Sequence, residues 1–200
     1  MSNLRLRHIW SKLHQTWSMA ELSRRHPGLK LDAPYRLEHD LIWRISQGAV
    51  LRIGAHVHLR HHTELKVEGQ LIVGQHVHIG PFSIISAMDN IIIGDDCLLA
   101  ERVSIRDHDH RIPLRDHDHR IPIRDHDHPT AAQPIPYRKT GYTVAPIRLG
   151  RNVWVGAGVS ILKGVELGDN CIVGAHAVVN RSFPGGSIIA GVPARLLRTL

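Results

Sequence analysis

The residues best suited to chemistry stand in a literal repeat. The chain reads RDHDHRIPL at 106–114, RDHDHRIPI at 115–123 and RDHDHPTAA at 124–132, so six of its 17 histidines fall in three Asp-His-Asp-His units. An imidazole can accept a proton from a hydroxyl near neutral pH, and a carboxylate on its other ring nitrogen fixes the useful tautomer. The candidates are His108 and His110 in the first unit, with Asp107 or Asp109 as the orienting carboxylate, His117 and His119 in the middle unit, and His126 and His128 in the last. The same HDH spacing presents two imidazoles one residue apart, which also fits metal ligation. For any one of these histidines a solvent-facing place in a charged loop is the plain alternative. The first unit is tethered three residues after Ile105, whereas the last alone has the DHDHP sequence and the short return to Leu149. The residues by themselves leave the choice between units open.

Such side chains need a rigid support, and a second periodicity supplies it. Aliphatic residues recur every six positions at Ile53, Leu59, Leu65, Val73, Ile79, Ile85, Ile93, Leu99 and Ile105, and again at Leu149, Val155, Ile161, Leu167, Val173 and Val179. Eight of these fifteen are followed directly by glycine. A period of six matches neither a helix nor a long alternating strand, and so predicts short strands separated by tight corners. Small or medium residues four places further on, such as Val57, Val77, Cys97, Val153 and Cys171, would complete the filling of a narrow triangular prism. Three hexads make one coil, with successive coils stacked about 4.8 Å apart. The first coils start at 53, 73 and 93, and their two additional residues predict widened corners at 69–70 and 89–90.

The frame breaks between Ile105 and Leu149, which predicts a loop protruding over 111–143. Leu6, Ile9, Trp10, Leu13 and Trp17 have helical spacing, so the segment 1–47 is expected to hold a helix and to cap the open end of a β-helix domain over 48–200. Pro193 introduces an expected short C-terminal helix over 194–200.

Composition narrows the partners. The chain has 25 Lys+Arg against 18 Asp+Glu, a formal charge of +7 and a pI near 10.0, which favours a polyanion; a phosphate-rich cofactor satisfies this as well as nucleic acid does. Nucleic acid is set aside because the basic residues do not alternate with aromatics, which make up only 4% of the chain. Two cysteines are too few for a disulfide scaffold and read as inward-facing hydrophobes. The first thirty residues contain no long apolar run, so a cytoplasmic protein is expected, with membrane association possible only through the N-terminal helix. No Rossmann fingerprint, P-loop or nucleophile elbow is present.

The repeats IGAHVH, VGQHVH, IGDDCL and LGRNVWVGAGVSILKGVELGDNCIVGAHAVV, with DHDHP preceding PIRLGRNVWVG, resemble the hexapeptide-repeat acyltransferases, and among them the sugar and polysaccharide O-acetyltransferases. The resemblance implies an all-β solenoid, a left-handed parallel β-helix. It implies transfer of an acetyl group from acetyl-coenzyme A to a sugar or polysaccharide hydroxyl, with one histidine of a DHDH unit as general base and no metal required. It further implies a homotrimer whose donor lies between neighbouring chains, close to Trp154. On that reading Gly156, Ala157, Gly174 and Ala175 would let the pantetheine arm approach the coil amides, and Lys163, Arg181, Arg195 and Arg198 are candidates for its phosphates. Two other activities remain open: an N-acetyltransferase acting on an amino sugar, and a zinc-dependent hydratase resembling carbonic anhydrase.

Overall fold

The structure is a computed structural model and describes residues 24–111 and 136–200. The expected N-terminal helix falls largely on residues 1–23, and the second and third DHDH units fall within 112–135, all outside the described residues.

The described chain winds as a parallel β-helix with three faces. The first stacks Leu29–Leu31, Val50–Ile53, Gln70–Val73, Asn90–Ile93, Ile147–Leu149 and Glu166–Leu167. The second stacks Arg36–Leu37, His58–Leu59, His78–Ile79, Leu98–Leu99, Trp154–Val155, Ile172–Val173, Ser187–Ala190 and finally Arg195–Thr199. The third stacks Ile42–Ile45, Glu64–Val67, Ile84–Ala87, Ser104–Arg106, Ser160–Ile161 and Val178–Val179. Every one of the fifteen hexad residues is at most 2% exposed, so the six-residue period marks the side chains that fill the prism. Removing each such aliphatic side chain from water contributes about 1.5–3 kcal/mol, which offsets the entropy of ordering strands only two to four residues long.

The corners explain part of the histidine surplus. His56, His62, His76 and His176 all have left-handed backbone, as do Asp96, Asn152 and Asn170, with φ between 55° and 60°. Histidine, asparagine and aspartate enter that region more readily than most residues. Histidines at equivalent places in consecutive coils form rows: the His56 and His76 rings stack 4.6 Å apart, and His58 is in register with His78, their rings 4.9 Å apart. Gly54 answers a different need, because a Cβ there would lie 2.7 Å from the Gln75 amide nitrogen of the next coil.

Two boundaries are corrected. Among the described residues the solenoid begins at Leu29, inside the segment expected to be a cap: Leu31 is in register with Ile53, Leu37 with Leu59 and Trp43 with Leu65. Those three residues already carry the six-residue spacing, displaced by 22 residues from the next coil. At the other end, the residues expected to form a helix over 194–200 instead give the strand Arg195–Thr199, antiparallel to Ser187–Ala190. Gly191 at φ 102° lets the chain reverse, and the edge of the second face satisfies backbone groups that a seven-residue helix would leave unpaired.

Candidate active site

The site grows from one corner. Ser104–Arg106 is the third-face strand, and Ile105 within it is fully buried. Asp107, the next inward residue, is also fully buried and caps the corner of the preceding coil: its Oδ1 accepts from the Met88 amide at 2.9 Å and its Oδ2 from the Asp89 amide at 2.8 Å. A carboxylate engaged in this way only accepts, so the contact at 3.0 Å to His108 Nδ1 is a donation from the ring N–H. This tautomer leaves His108 Nε2 with its lone pair free for proton transfer. The His108 side chain is only 12% exposed.

From Asp107 the chain departs as a hairpin. His108–His110 pairs antiparallel with Tyr142–Val144, matching His108 to Val144, Asp109 to Thr143 and His110 to Tyr142. Alternation along the strand puts both imidazoles on one side. The Tyr142 ring meets them there, edge-on to His108 at 5.6 Å and tilted over His110 at 4.4 Å. Asp109, between the two histidines, accepts instead from Lys163 Nζ at 3.1 Å. The hairpin's return is fixed by Ala145 N–H donating to Asp107 O at 2.9 Å and Gly164 N–H to Ala145 O at 3.1 Å.

Of the residues selected from sequence, this corner gathers Asp107, His108, Asp109, His110 and Lys163. His128 lies outside the described residues. Trp154 is half exposed on the second face, in register with Leu98 and Ile172. That face lies opposite the corner between the third and first faces from which the hairpin leaves, so one chain does not bring Trp154 to His108. Gly156, Ala157, Gly174 and Ala175 sit at the corner between the second and third faces, where glycine serves coil packing: a Cβ on Gly156 would be 2.7 Å from the Ala175 amide nitrogen, and one on Gly174 2.8 Å from Ala190 Cβ. Arg195 and Arg198 are exposed on the terminal strand, and Arg181 lies over the Phe183 ring at 5.1 Å. Sequence reasoning missed Tyr142, whose only local signal is the run Tyr142-Thr143-Val144 of strand-favouring residues.

A separate polar cluster ties the first two coils together. Glu38 meets Arg60 at 2.8 Å, His61 at 2.9 Å and His58 at 3.1 Å. Burial alone would raise the Glu38 pKa, but hydrogen bonds from the His61 ring and amide, Arg60 and His58 together bring it down to about 2. Burial pushes the Cys97 thiol up to about 11, consistent with an inert interior residue. Among the described residues, no three or more His, Cys, Asp or Glu side chains are grouped so as to hold a metal ion, and no helix is long and apolar enough to cross a membrane.

Comparison with known proteins agrees with this architecture. Residues 146–181 match the family model described as bacterial transferase hexapeptide (six repeats). A Mycobacterium tuberculosis protein named probable acetyltransferase Rv3034c is 34% identical over 151 residues, 75% of this chain and 44% of that protein. The galactoside O-acetyltransferase of Escherichia coli is 42% identical over 64 residues, 32% of each chain. This chain thus spans less than two thirds of the length of either relative. Among solved structures, AntD, an N-acyltransferase from Bacillus cereus in complex with dTDP and 3-hydroxybutyryl-CoA, superposes with a TM-score of 0.69 at 18% identity, covering 90% of this chain and 87% of AntD. A maltose O-acetyltransferase from Clostridium difficile gives 0.55 at 21% identity, over 90% and 72% of the two chains. With its buried hexads, the matched repeats and these superpositions, the chain has the hexapeptide-repeat β-helix fold and is similar to acyltransferases built on it.

Proposed function

We propose that the protein transfers an acetyl group from acetyl-coenzyme A to a hydroxyl of a sugar or polysaccharide, with His108 as general base. The observation that carries this reading is the buried Asp107 carboxylate, held by two backbone amides and accepting from His108 Nδ1. In the reaction, His108 Nε2 takes the hydroxyl proton as the oxygen attacks the thioester carbonyl carbon. Collapse of the adduct breaks the carbon–sulfur bond, and the imidazolium returns the proton to the departing thiolate. Asp107 orients the ring throughout and offsets its transient positive charge.

The same geometry favours the first DHDH unit over its copies. Ser104 N–H donates to Val159 O at 2.9 Å, joining the third-face strand to the next coil. The residues equivalent to Ser104 ahead of the second and third units are Pro113 and Pro122, which have no N–H to donate. Either later unit, registered into this strand, would forfeit that bond.

A closed trimer belongs to the same proposal. Trp154, Gly156, Ala157, Gly174 and Ala175 lie away from the His108 corner of their own chain, so they can join a donor cleft only if a neighbouring chain presents its hairpin to them. Light scattering at micromolar concentration is expected to give three times the 22.4 kDa chain mass. A stable, fully active monomer would overturn this part.

Coenzyme release with candidate sugars tests the chemistry. Replacing His108 and His110 by alanine is expected to lower kcat/KM by about 10²-fold or more, while the same change at His117 and His119 leaves most activity. Loss confined to the His126/His128 variant would transfer the assignment to the last unit. The structural likeness to an N-acyltransferase supports a second reading, transfer to an amino sugar, since the same imidazole can deprotonate an ammonium group. Amine and hydroxyl acceptors assayed side by side separate the two. Hydration of carbon dioxide that is lost on chelation and restored by zinc, without coenzyme release, would favour a metal-dependent hydratase instead.

A further inference from the structure

Lys163 is the residue whose surroundings depart furthest from the role its sequence suggested. It occupies the corner between Ser160–Ile161 and Glu166–Leu167, one coil beyond the strand from which the hairpin leaves. Its ammonium lies 3.1 Å from Asp109 Oδ2, with the two side chains only 23% and 29% exposed. Both are sheltered enough for the contact to matter more than a surface pair would.

The hairpin strand is therefore anchored at two successive residues of the same parity. Asp107 ties it to the preceding coil through the Met88 and Asp89 amides, and Asp109 ties it to the following coil through Lys163. His108 sits between these anchors. Its ring, with that of His110, occupies the opposite side of the strand against Tyr142. Thr143 Oγ1 donates to Asp109 O at 3.4 Å, and Gly164, next to Lys163, donates its N–H to Ala145 O at 3.1 Å. The corner holding Lys163 thus grips both strands of the hairpin.

We infer that Lys163 is a positioning residue, acting through Asp109 to hold the strand that carries His108, and that it is not a ligand of the donor's phosphates. The inference rests on His108 serving as the base. A phosphate ligand must leave its carboxylate partner to bind donor, whereas a positioning lysine keeps that partner during turnover. Without the cation, Asp109 becomes a sheltered carboxylate with its partner removed, and the strand loses its second anchor. A displacement of about 1 Å at the base is enough to lower turnover by up to about 10²-fold.

The test is a cycle of variants at these two positions in the assembled enzyme. Lys163→Met is expected to lower kcat by about tenfold or more while leaving the KM for acetyl-coenzyme A nearly unchanged. Lys163→Arg, which keeps a cation within reach, should recover most of the loss. Asp109→Asn should resemble Lys163→Met, and the double variant should be no worse than either, because both remove one contact. Hydrogen exchange supplies a readout independent of activity: the Ala145 and Arg111 amides, which close the hairpin on Asp107 O and Gly141 O, should exchange faster in Lys163→Met, while coil amides such as Ser104 do not. A raised KM with unchanged kcat, abolished when the donor lacks its 3′-phosphate, would make Lys163 a phosphate ligand and overturn the inference. So would additive losses from the two single variants, or Lys163→Met behaving as wild type. Should the His108→Ala control retain full activity, the base assignment falls and this inference with it. If that control is inactive while Lys163→Met is normal, only the positioning role is refuted.

Discussion

Asp107→Asn is the perturbation that most directly probes the site, because it preserves shape while removing one acceptor. The native carboxylate receives three N–H groups, from Met88, Asp89 and the His108 ring, in a place with no solvent exposure. An asparagine offers one oxygen and turns an NH2 group toward the other side, so at least one of these donors is left facing a donor. A hydrogen bond to a charged acceptor contributes about 1.5–3 kcal/mol and a buried unsatisfied donor costs about 1–3 kcal/mol, which together give about 2.5–6 kcal/mol. In a solenoid each coil contacts only its neighbours, so this loss should concentrate at one corner. Hydrogen exchange should show weakened protection of the Met88 and Asp89 amides, with coils around Leu167 and Val173 unaffected. Activity should fall by about 10²–10⁴-fold, since the amide no longer enforces the Nδ1-protonated tautomer of His108. Unchanged protection of both amides, or wild-type kcat/KM in a folded variant, would refute the reasoning that Asp107 both anchors the hairpin and orients the base.

Two further outcomes concern the coils themselves. Burial lowers the pKa values of His58 and His78, so the fold favours their neutral forms; that contribution is present above the ordinary histidine pKa and is lost as pH falls below it. Glu38 behaves in the same direction at lower pH, its stabilisation complete above the ordinary carboxylate value of 4.5 and lost as pH falls through about 2. Thermal melts between pH 7 and 5 should therefore show the N-terminal coils weakening first, and His78→Gln should reduce that dependence; a flat profile would contradict the assignment. At the first corner, His56→Val should destabilise by about 1–2 kcal/mol because a β-branched residue resists left-handed backbone, whereas His56→Asn should be close to neutral. Denaturant melts of the two variants provide the comparison, and equal stabilities would refute the backbone argument.

The fold was largely legible because its determinant is local and repeated: each of Ile53, Leu59 and Leu65 announces an inward position, and the next coil repeats the statement at Val73, Ile79 and Ile85. The same rule reaches back to Leu31, Leu37 and Trp43, where a 22-residue offset and an indole in place of an aliphatic side chain obscured it. The terminal strand Arg195–Thr199 was not legible, because its conformation is dictated by the unpaired edge of Ser187–Ala190 and not by its own Leu-rich sequence. At the site, Asp107 and His108 are chain neighbours and their contact could be anticipated from composition. The Lys163–Asp109 pair joins residues 54 positions apart and depends on which corner of which coil each occupies, information that no local pattern carries.

The short bridge between Asp107 and Ala145 has a topological consequence. Ala145 N–H donates to Asp107 O, so the solenoid path closes on main-chain atoms at the point where the hairpin leaves it and returns. The junction between the two coils is therefore set by backbone geometry at Asp107 and Ala145, whichever side chains the hairpin carries.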